Sequence, residues 1–138
     1  MTILFIGVLS YAGRSQQTDP SVQLSYFTNI PKVIDGCMEA YTHDTTSLKK
    51  KKYILLTNMQ ELAMIHVNGK TISLQKVSST PPANHVYKDV YKGEGYTVIV
   101  IVKEIKEVGD EGSYMKGTVE IKFGSFDFTL KIHGTAGC

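Results

Sequence analysis

The stretch GTVEIKFGSFDFTLKI, residues 117–132, decides the fold of this chain. Apolar residues occupy every second position up to Phe123 and again from Phe126 onward, which is the period of a β-strand with one buried face. Gly124 and Ser125 separate the two halves, and a two-residue loop with glycine first favours a type II′ hairpin turn. The predicted hairpin pairs Phe123 with Phe126, Ile121 with Phe128, Val119 with Leu130 and, on the wet face, Lys122 with Asp127.

A second hairpin is predicted by ELAMIHVNGKTISLQ, residues 61–75. Asn68-Gly69 is a strong turn signal, because a type I′ turn needs positive φ at both central residues. The pairing across this turn sets Ile65 opposite Ile72 and Ala63 opposite Leu74. Both strands then send their apolar side chains the same way, so the turn and the hydrophobic pattern agree on one register.

About eight strands are predicted in all. They are Cys37–Asp44, Lys51–Asn58, Ala63–Val67, Lys70–Val77, His85–Tyr91, Tyr96–Val108, Tyr114–Phe123 and Phe126–His133. Short strands with closely spaced turn signals are typical of an antiparallel β-barrel or sandwich, so the expected fold class is all-β. SSTPPAN, residues 78–84, is predicted to be a loop because of its double proline, and residues 19–37 fit either a strand followed by a loop or one short helix.

The size and charge of the chain set limits on its class. The 138 residues suffice for one domain, and no linker or repeat divides them, so we expect a single β domain over residues 20–138. Fifteen basic residues (Lys+Arg 15) against 13 acidic ones leave a net charge of +2. That balance is too even for a typical nucleic-acid-binding surface, and no nucleic-acid partner is expected.

Residues 1–12, MTILFIGVLSYA, have most features of a secretory signal peptide. An uncharged apolar run is followed by Ser10 and Ala12, which place small residues where a signal peptidase expects them. The basic residues that normally precede the apolar run are absent, and a buried first strand is the alternative. The run is far shorter than the ~20 residues of a membrane helix, so no stable membrane span is expected. The predicted location is periplasmic or secreted.

The two cysteines of the chain are Cys37 and Cys138. In an oxidising compartment an even number of cysteines indicates a disulfide, and this one would enclose nearly the whole β domain. Chain-entropy models assign about 4–5 kcal/mol to a bridge that closes about 100 residues. Two free thiols in a cytosolic protein are the alternative.

No catalytic or metal site is predicted. The histidines are His43, His66, His85 and His133. They stand at no ligand-like spacing, so solvent-exposed histidine is the simpler interpretation. Nothing in the sequence pairs a nucleophile with a base, and we therefore expect a protein that is not an enzyme and needs no cofactor. The run Lys49–Lys52 is interpreted as a solvated loop or charged edge, and Gly109–Glu111 as a polar turn rather than a calcium site.

The stretch YKGEGY, residues 91–96, is the predicted contact site. Glycines on both sides of Glu94 favour a sharp or mobile turn, and the nearby tyrosines supply rigid aromatic area of the kind that anchors interfaces. The candidate binding residues are Tyr87, Tyr91, Gly93, Glu94, Gly95 and Tyr96. The alternative is a hairpin turn whose tyrosines pack on the sheet.

A series of landmarks runs from Asp35 to the end of the chain. They are DGC (35–37), Tyr41, YILLTN (53–58), VNGKTISL (67–74), GEGYTVIV (93–100), KGTVEIK (116–122) and HGTAGC (133–138). In these landmarks the chain resembles a set of small exported proteins of Bacteroidetes that carry no assigned function. In that set the first motif often contains a C-x-C pair and the ending another, where this chain has Glu39 and Ala136.

The turn at residues 93–96 also resembles, more weakly, the inhibitory turn of the membrane-bound inhibitor of c-type lysozyme. That family is a small periplasmic β-barrel whose first and last cysteines are joined, and it has small residues where this chain has Glu94. This resemblance implies inhibition of a lysozyme-like hydrolase.

The expected function is that of an exported, non-catalytic domain that binds a protein partner. A small-ligand-binding barrel and a hydrolase inhibitor are the alternatives. An empty apolar interior would favour the small ligand, whereas an interior filled by Phe123, Phe126 and Phe128 would not, since side chains can just fill a barrel of about eight strands.

Overall fold

The computed structural model describes residues 22–34, 36–108 and 112–138. The predicted signal peptide and the predicted turn at residues 109–111 lie outside these described residues. The elements are β1 (Met38–Thr42), α1 (Thr45–Lys49), β2 (Leu55–Thr57), β3 (Leu62–Val67), β4 (Lys70–Ala83), β5 (Val86–Gly93), β6 (Tyr96–Val108), β7 (Gly112–Phe123) and β8 (Phe126–Gly137).

The eight strands form one closed antiparallel barrel. Each strand pairs with the next along the chain, and β8 pairs with β1 to close the ring. The predicted all-β fold is confirmed, and of the two architectures left open the barrel is correct. Both predicted hairpin registers are confirmed as well, including Ile65 opposite Ile72 and Phe123 opposite Phe126.

The strand β4 continues where a loop was predicted. It runs through Pro81 and Pro82 to Ala83, and its pairing with β5 shifts between Thr80 and Ala83, which leaves the two prolines out of the ladder. On its other side β4 pairs with β3 only as far as Gln75. This part of β4 is therefore an edge, where a proline without an N–H is tolerated.

Residues 22–34, called the covering segment below, begin at the lumen core, which contains Val22, and continue across the outer face of β1–β3, where Phe27 and Ile34 pack. The segment forms neither of the predicted alternatives, since its only ladder contact is a bridge from Leu24 to Val67. Backbone hydrogen bonds from Ser25 N to His66 O and from Phe27 N to Tyr53 O fasten it to the barrel. Among the described residues, no helix has both the length and the apolar character to cross a membrane.

Two apolar cores lie on the two sides of the sheet. The larger fills the barrel lumen, and its fully buried side chains include Tyr41, Leu55, Ile65, Leu74, Tyr91, Val98, Val119, Ile121 and Ile132. The smaller lies between the outer face of β1–β3 and the covering segment, and it contains Phe27, Ile34, Ala40, Tyr53, Leu56 and Met64. Because both faces of β1–β3 are buried, Ile54, Leu55 and Leu56 form a continuous apolar run instead of an alternating one.

The barrel closes at a short seam between β1 and β8, which contains five residue pairs from Met38–Gly137 to Thr42–His133. At its open end Cys37 and Cys138 form the predicted disulfide. Within the seam the ring of Tyr41 lies so close to Gly134 that a Cβ on this glycine would stand 2.3 Å from a ring carbon. The seam is therefore held by backbone pairing, close packing and one covalent bond.

Removing the bridge should weaken the fold. The double substitution Cys37→Ser, Cys138→Ser frees two residues 101 positions apart. It should lower the free energy of unfolding by about 4 kcal/mol, because a longer unconstrained chain gains more entropy on unfolding. Urea unfolding followed by circular dichroism measures the loss, and reduced wild-type protein should match the variant. Unchanged unfolding midpoints in both would contradict a structural role for the disulfide.

Candidate functional site

The turn between β5 and β6 places the predicted binding residues at two different depths. Tyr91 is 1% exposed and Tyr96 is 8% exposed, because both side chains point into the lumen. Tyr96 stacks on Phe123 with ring centres 4.3 Å apart, and Tyr87 is half-buried. Burial removes Tyr91 and Tyr96 from the surface available to a partner. The alternative interpretation, in which the tyrosines pack on the sheet, describes these two residues.

The polar part of the same turn remains exposed. Gly93 is partly exposed, and Glu94 and Gly95 lie in solvent. The Glu94 carboxylate accepts a 2.9 Å hydrogen bond from the backbone N–H of Ser73 on β4. The turn is thus tied to the neighbouring strand, and contact between a partner and Glu94 stays a prediction.

A polar cluster lies inside the apolar lumen. Glu39 stands opposite Thr57 across β1 and β2, and the Thr57 hydroxyl donates a 2.9 Å hydrogen bond to the Glu39 carboxylate. The Tyr41 hydroxyl is buried without a hydrogen bond of good geometry. Asp89 and Lys76 approach from the opposite wall of the barrel, where Lys76 Nζ lies 3.8 Å from Asp89 Oδ2.

Burial dominates the acid–base properties of this cluster. It raises the pKa of Glu39, and Asp89 raises it further, while the Thr57 hydrogen bond and Lys76 act in the opposite direction. The pKa of Tyr41 is raised well above its ordinary value, first by burial and then by the charge of Glu39. An ionised carboxylate at Glu39 therefore costs the folded state free energy.

A serine, a histidine and an aspartate meet at the start of α1. Ser47 Oγ lies 3.4 Å from His43 Nε2, and His43 Nδ1 lies 3.1 Å from Asp44 Oδ2. The prediction that no nucleophile lies beside a base is therefore wrong for Ser47, and also for Ser25, whose hydroxyl contacts His66 Nδ1. The Tyr26 hydroxyl, however, occupies His43 Nε2 in a 2.5 Å hydrogen bond. With its Nδ1 proton facing Asp44, the imidazole has no remaining lone pair with which to activate Ser47.

These contacts hold the covering segment in place. The Asp44 carboxylate accepts a 2.7 Å hydrogen bond from Ser47 N and so caps α1, and this backbone bond is the main reason that the pKa of Asp44 is lowered. Tyr26 links the covering segment to this cap through His43, and Lys52 Nζ lies 5.6 Å from the centre of the Tyr26 ring. A structural role accounts for every contact in the cluster.

The histidines differ from the predicted solvent-exposed state in two of four cases. His66 and His133 are half-buried, because the Ser25 hydroxyl contacts His66 Nδ1 at 2.8 Å and the Tyr114 hydroxyl contacts His133 Nδ1 at 2.7 Å. His43 and His85 are exposed. Within the described part of the chain, no three His, Cys, Asp or Glu side chains come together in a way that could hold a metal ion.

The outer face of β5–β8 carries a group of basic side chains, called the basic face below. Its members are Lys88, Lys103, Lys116, Lys131 and His133. Lys103 stands directly opposite Lys116, and Lys116 stands directly opposite His133. Sequence analysis missed this surface, because its residues are far apart in the chain and only the strand registers bring them together.

Apolar side chains stand among these basic side chains. Ile101, opposite Lys88, is 39% exposed, and Val86, opposite Lys103, is 37% exposed. Further toward the disulfide end, Ile105 is 49% exposed. The covering segment lies over β1–β3 on the other side of the barrel, so it does not shield these side chains. The outer face of β5 and β6 thus combines an apolar centre with a basic surround.

Two open grooves lie near the disulfide end of the barrel. One is lined by residues around the disulfide, among them Met38, Ser113 and Cys138, and the other lies between Ile30 and Met38.

Comparisons with protein-family models, with curated proteins and with solved structures each returned no match. The resemblances described above therefore stay predictions.

The lumen cluster predicts a characteristic pH dependence. Because the folded pKa of Glu39 is raised, the stability it contributes is greatest below the carboxyl's unfolded pKa and is lost as the pH rises through the folded value. Glu39→Gln cannot ionise and still offers an oxygen to Thr57. Thermal unfolding should find this variant increasingly more stable than wild type as the pH rises from about 4 to about 7.

A matched control is Glu61→Gln, which removes an exposed carboxylate from the turn between β2 and β3. Glu61→Gln should show no increase in thermal stability over wild type as the pH rises. If Glu39→Gln were less stable than wild type at neutral pH, the buried carboxylate would be needed as an ion, and the account of the lumen given above would be wrong.

Proposed function

We propose that this chain is an exported, non-catalytic binding domain whose partner is a protein. The partner docks on the outer face of β5 and β6. The observation that carries the proposal is the exposure of Val86 and Ile101 on one uncovered sheet face. Exposed apolar side chains that cluster on one face mark interaction sites, whereas isolated ones need no explanation.

The disulfide supports export. Both cysteines of the chain are consumed in the bridge between Cys37 and Cys138. Such bridges persist in oxidising compartments and are rare in the reducing cytosol. An export signal at residues 1–12 would deliver the chain to such a compartment.

The packing of the lumen favours a protein partner over a small ligand. Phe126, Val98 and Val119 are among the side chains that fill the barrel interior. A ligand in the lumen would have to displace well-packed core residues. The hydrolase-inhibitor alternative gains no support from Tyr96, since this residue is buried.

The geometry at the cap of α1 is the reason for proposing that the domain is not catalytic. The serine–histidine pair there has the imidazole engaged by Tyr26, and the cluster lies against the covering segment rather than in a cleft. A second pair among the described residues, Ser25 and His66, also fastens the covering segment, since the Ser25 hydroxyl lies 2.8 Å from His66 Nδ1 and accepts a hydrogen bond from Gly69 N.

Site-specific crosslinking in the producing cells tests the docking face. A photoreactive amino acid at position 101 should yield a protein adduct of one defined mass. The same amino acid at Gln60, which is exposed on the opposite side of the barrel, is the control and should yield none. Adducts from both positions, or from neither, would contradict the proposed docking face.

The intact mass of the protein recovered outside the cytoplasm tests export. Alkylation without reductant should add nothing to a chain whose bridge is closed, and alkylation after reduction should modify two thiols. A full-length chain with two reactive thiols would contradict the proposed location.

A further inference from the structure

We infer that the partner presents an acidic protein surface to the basic face. This inference rests on the proposed function and names the chemistry of its partner. It depends on three features of the basic face: the spacing of its lysines, the absence of described ion pairs at Lys103, Lys116 and Lys131, and the kind of side chains that lie between them.

The basic side chains form a compact group because of the strand registers. Lys103, Lys116 and His133 occupy one row across β6, β7 and β8. In the next row, Lys88 and Lys131 flank Ile101 and Thr118. Directly opposed residues on neighbouring strands have Cβ atoms about 4.5–5.5 Å apart. An extended acidic surface can therefore meet several ammonium groups at once.

No carboxylate forms an ion pair with these lysines within the described residues; Glu120, further along the outer face of β7, attracts Lys88. The ion pairs found there are His43–Asp44, Lys76–Asp89, His85–Glu104 and Lys122–Glu120. None of them includes Lys103, Lys116 or Lys131. The whole chain carries a net charge of only +2, so this local excess of positive charge is balanced elsewhere on the molecule.

The arrangement costs the isolated protein some stability. Like charges directly opposed on neighbouring strands destabilise a sheet. Carboxylates brought by a partner would turn the repulsion between Lys103 and Lys116 into attraction. Charge complementarity of this type speeds association and selects the partner, while apolar contacts at the centre supply affinity.

The intervening side chains favour a protein over other polyanions. Ile101 and Val86 lie among the lysines, and an apolar centre with a charged rim is the usual composition of a protein interface. The described residues contain no arginine, which is the preferred residue for bidentate phosphate recognition. Tyr114, the nearby aromatic residue, is half-buried and stacked on His133, so it offers no free face for bases to stack on.

The lysine run at residues 49–52 is the main competing basic site. It lies at the end of α1, and its members share no sheet face. Lys52 is engaged over the Tyr26 ring. Because the run has the same number of lysines to offer, it supplies a charge-matched control for the basic face.

Poly-L-glutamate is the probe, and its binding is measured by fluorescence anisotropy at several salt concentrations. The variant Lys103→Glu, Lys116→Glu is compared with the control Lys49→Glu, Lys50→Glu. Each variant loses four units of charge, from +2 to −2. We expect the first to bind at least about tenfold more weakly than wild type and the second to stay within about twofold. Raising the salt from about 50 to about 200 mM should weaken wild type more than the first variant.

Duplex DNA, a sulfated polysaccharide and phosphatidylglycerol vesicles form the comparison arms. Wild type should bind poly-L-glutamate more tightly than each of them under equal salt. Equal losses in the two variants, a larger loss in the Lys49, Lys50 variant, or tighter binding of a comparison polyanion would overturn the inference. Should the charge-reversal variant fail to fold, Lys103→Gln, Lys116→Gln gives the same ranking with a smaller loss.

Crosslinking at position 101 distinguishes a failure of the docking face from a failure of the inferred acidic partner. An adduct that forms equally well with Lys103→Glu, Lys116→Glu would leave the docking face in place and overturn the acidic partner. Loss of the adduct in that variant, but not in Lys49→Glu, Lys50→Glu, supports both. No adduct in wild type overturns the docking face itself.

Discussion

The structure depends on the seam at which β1 meets β8. Five residue pairs and one disulfide close a ring that would otherwise present two open strand edges. The closure also completes the lumen, because Tyr41 on β1 packs on Gly134 of β8 and reaches the apolar interior. Cys138, which follows β8, is joined covalently to Cys37, which precedes β1, so the bridge holds these two strands together.

The outer face of the barrel is buried on one side and exposed on the other. On β1–β3 the covering segment buries the outer face and forms a second core, so both faces of these short strands are dry. On β5 and β6 no described segment covers the outer face, and Val86 and Ile101 stay in water beside Lys88 and Lys103. The proposed function follows from this difference. Burial by a partner is favourable only for apolar surface that is still exposed to water.

Local sequence rules predicted the hairpins well and the lumen chemistry poorly. Alternation and turn type are properties of neighbouring residues, so the registers around Gly69 and Gly124 were predictable. Burial of Glu39 was not, because its carboxylate is desolvated by strands that are distant in sequence. Tyr96 illustrates the same limit: its position near glycines indicated an exposed turn, while the strand pairing turns the ring inward onto Phe123.

The sequence by itself determined the all-β class, the two hairpin registers and the pair of cysteines available for a bridge, since these depend on side-chain period, turn geometry and composition. Only the tertiary structure decided that the sheet closes into a barrel, that Pro81 and Pro82 lie in an edge strand, and that Lys103, Lys116 and His133 share one row. The reason is physical: the first set depends on interactions within a few residues, whereas the second depends on which distant strands lie side by side once the ring is closed.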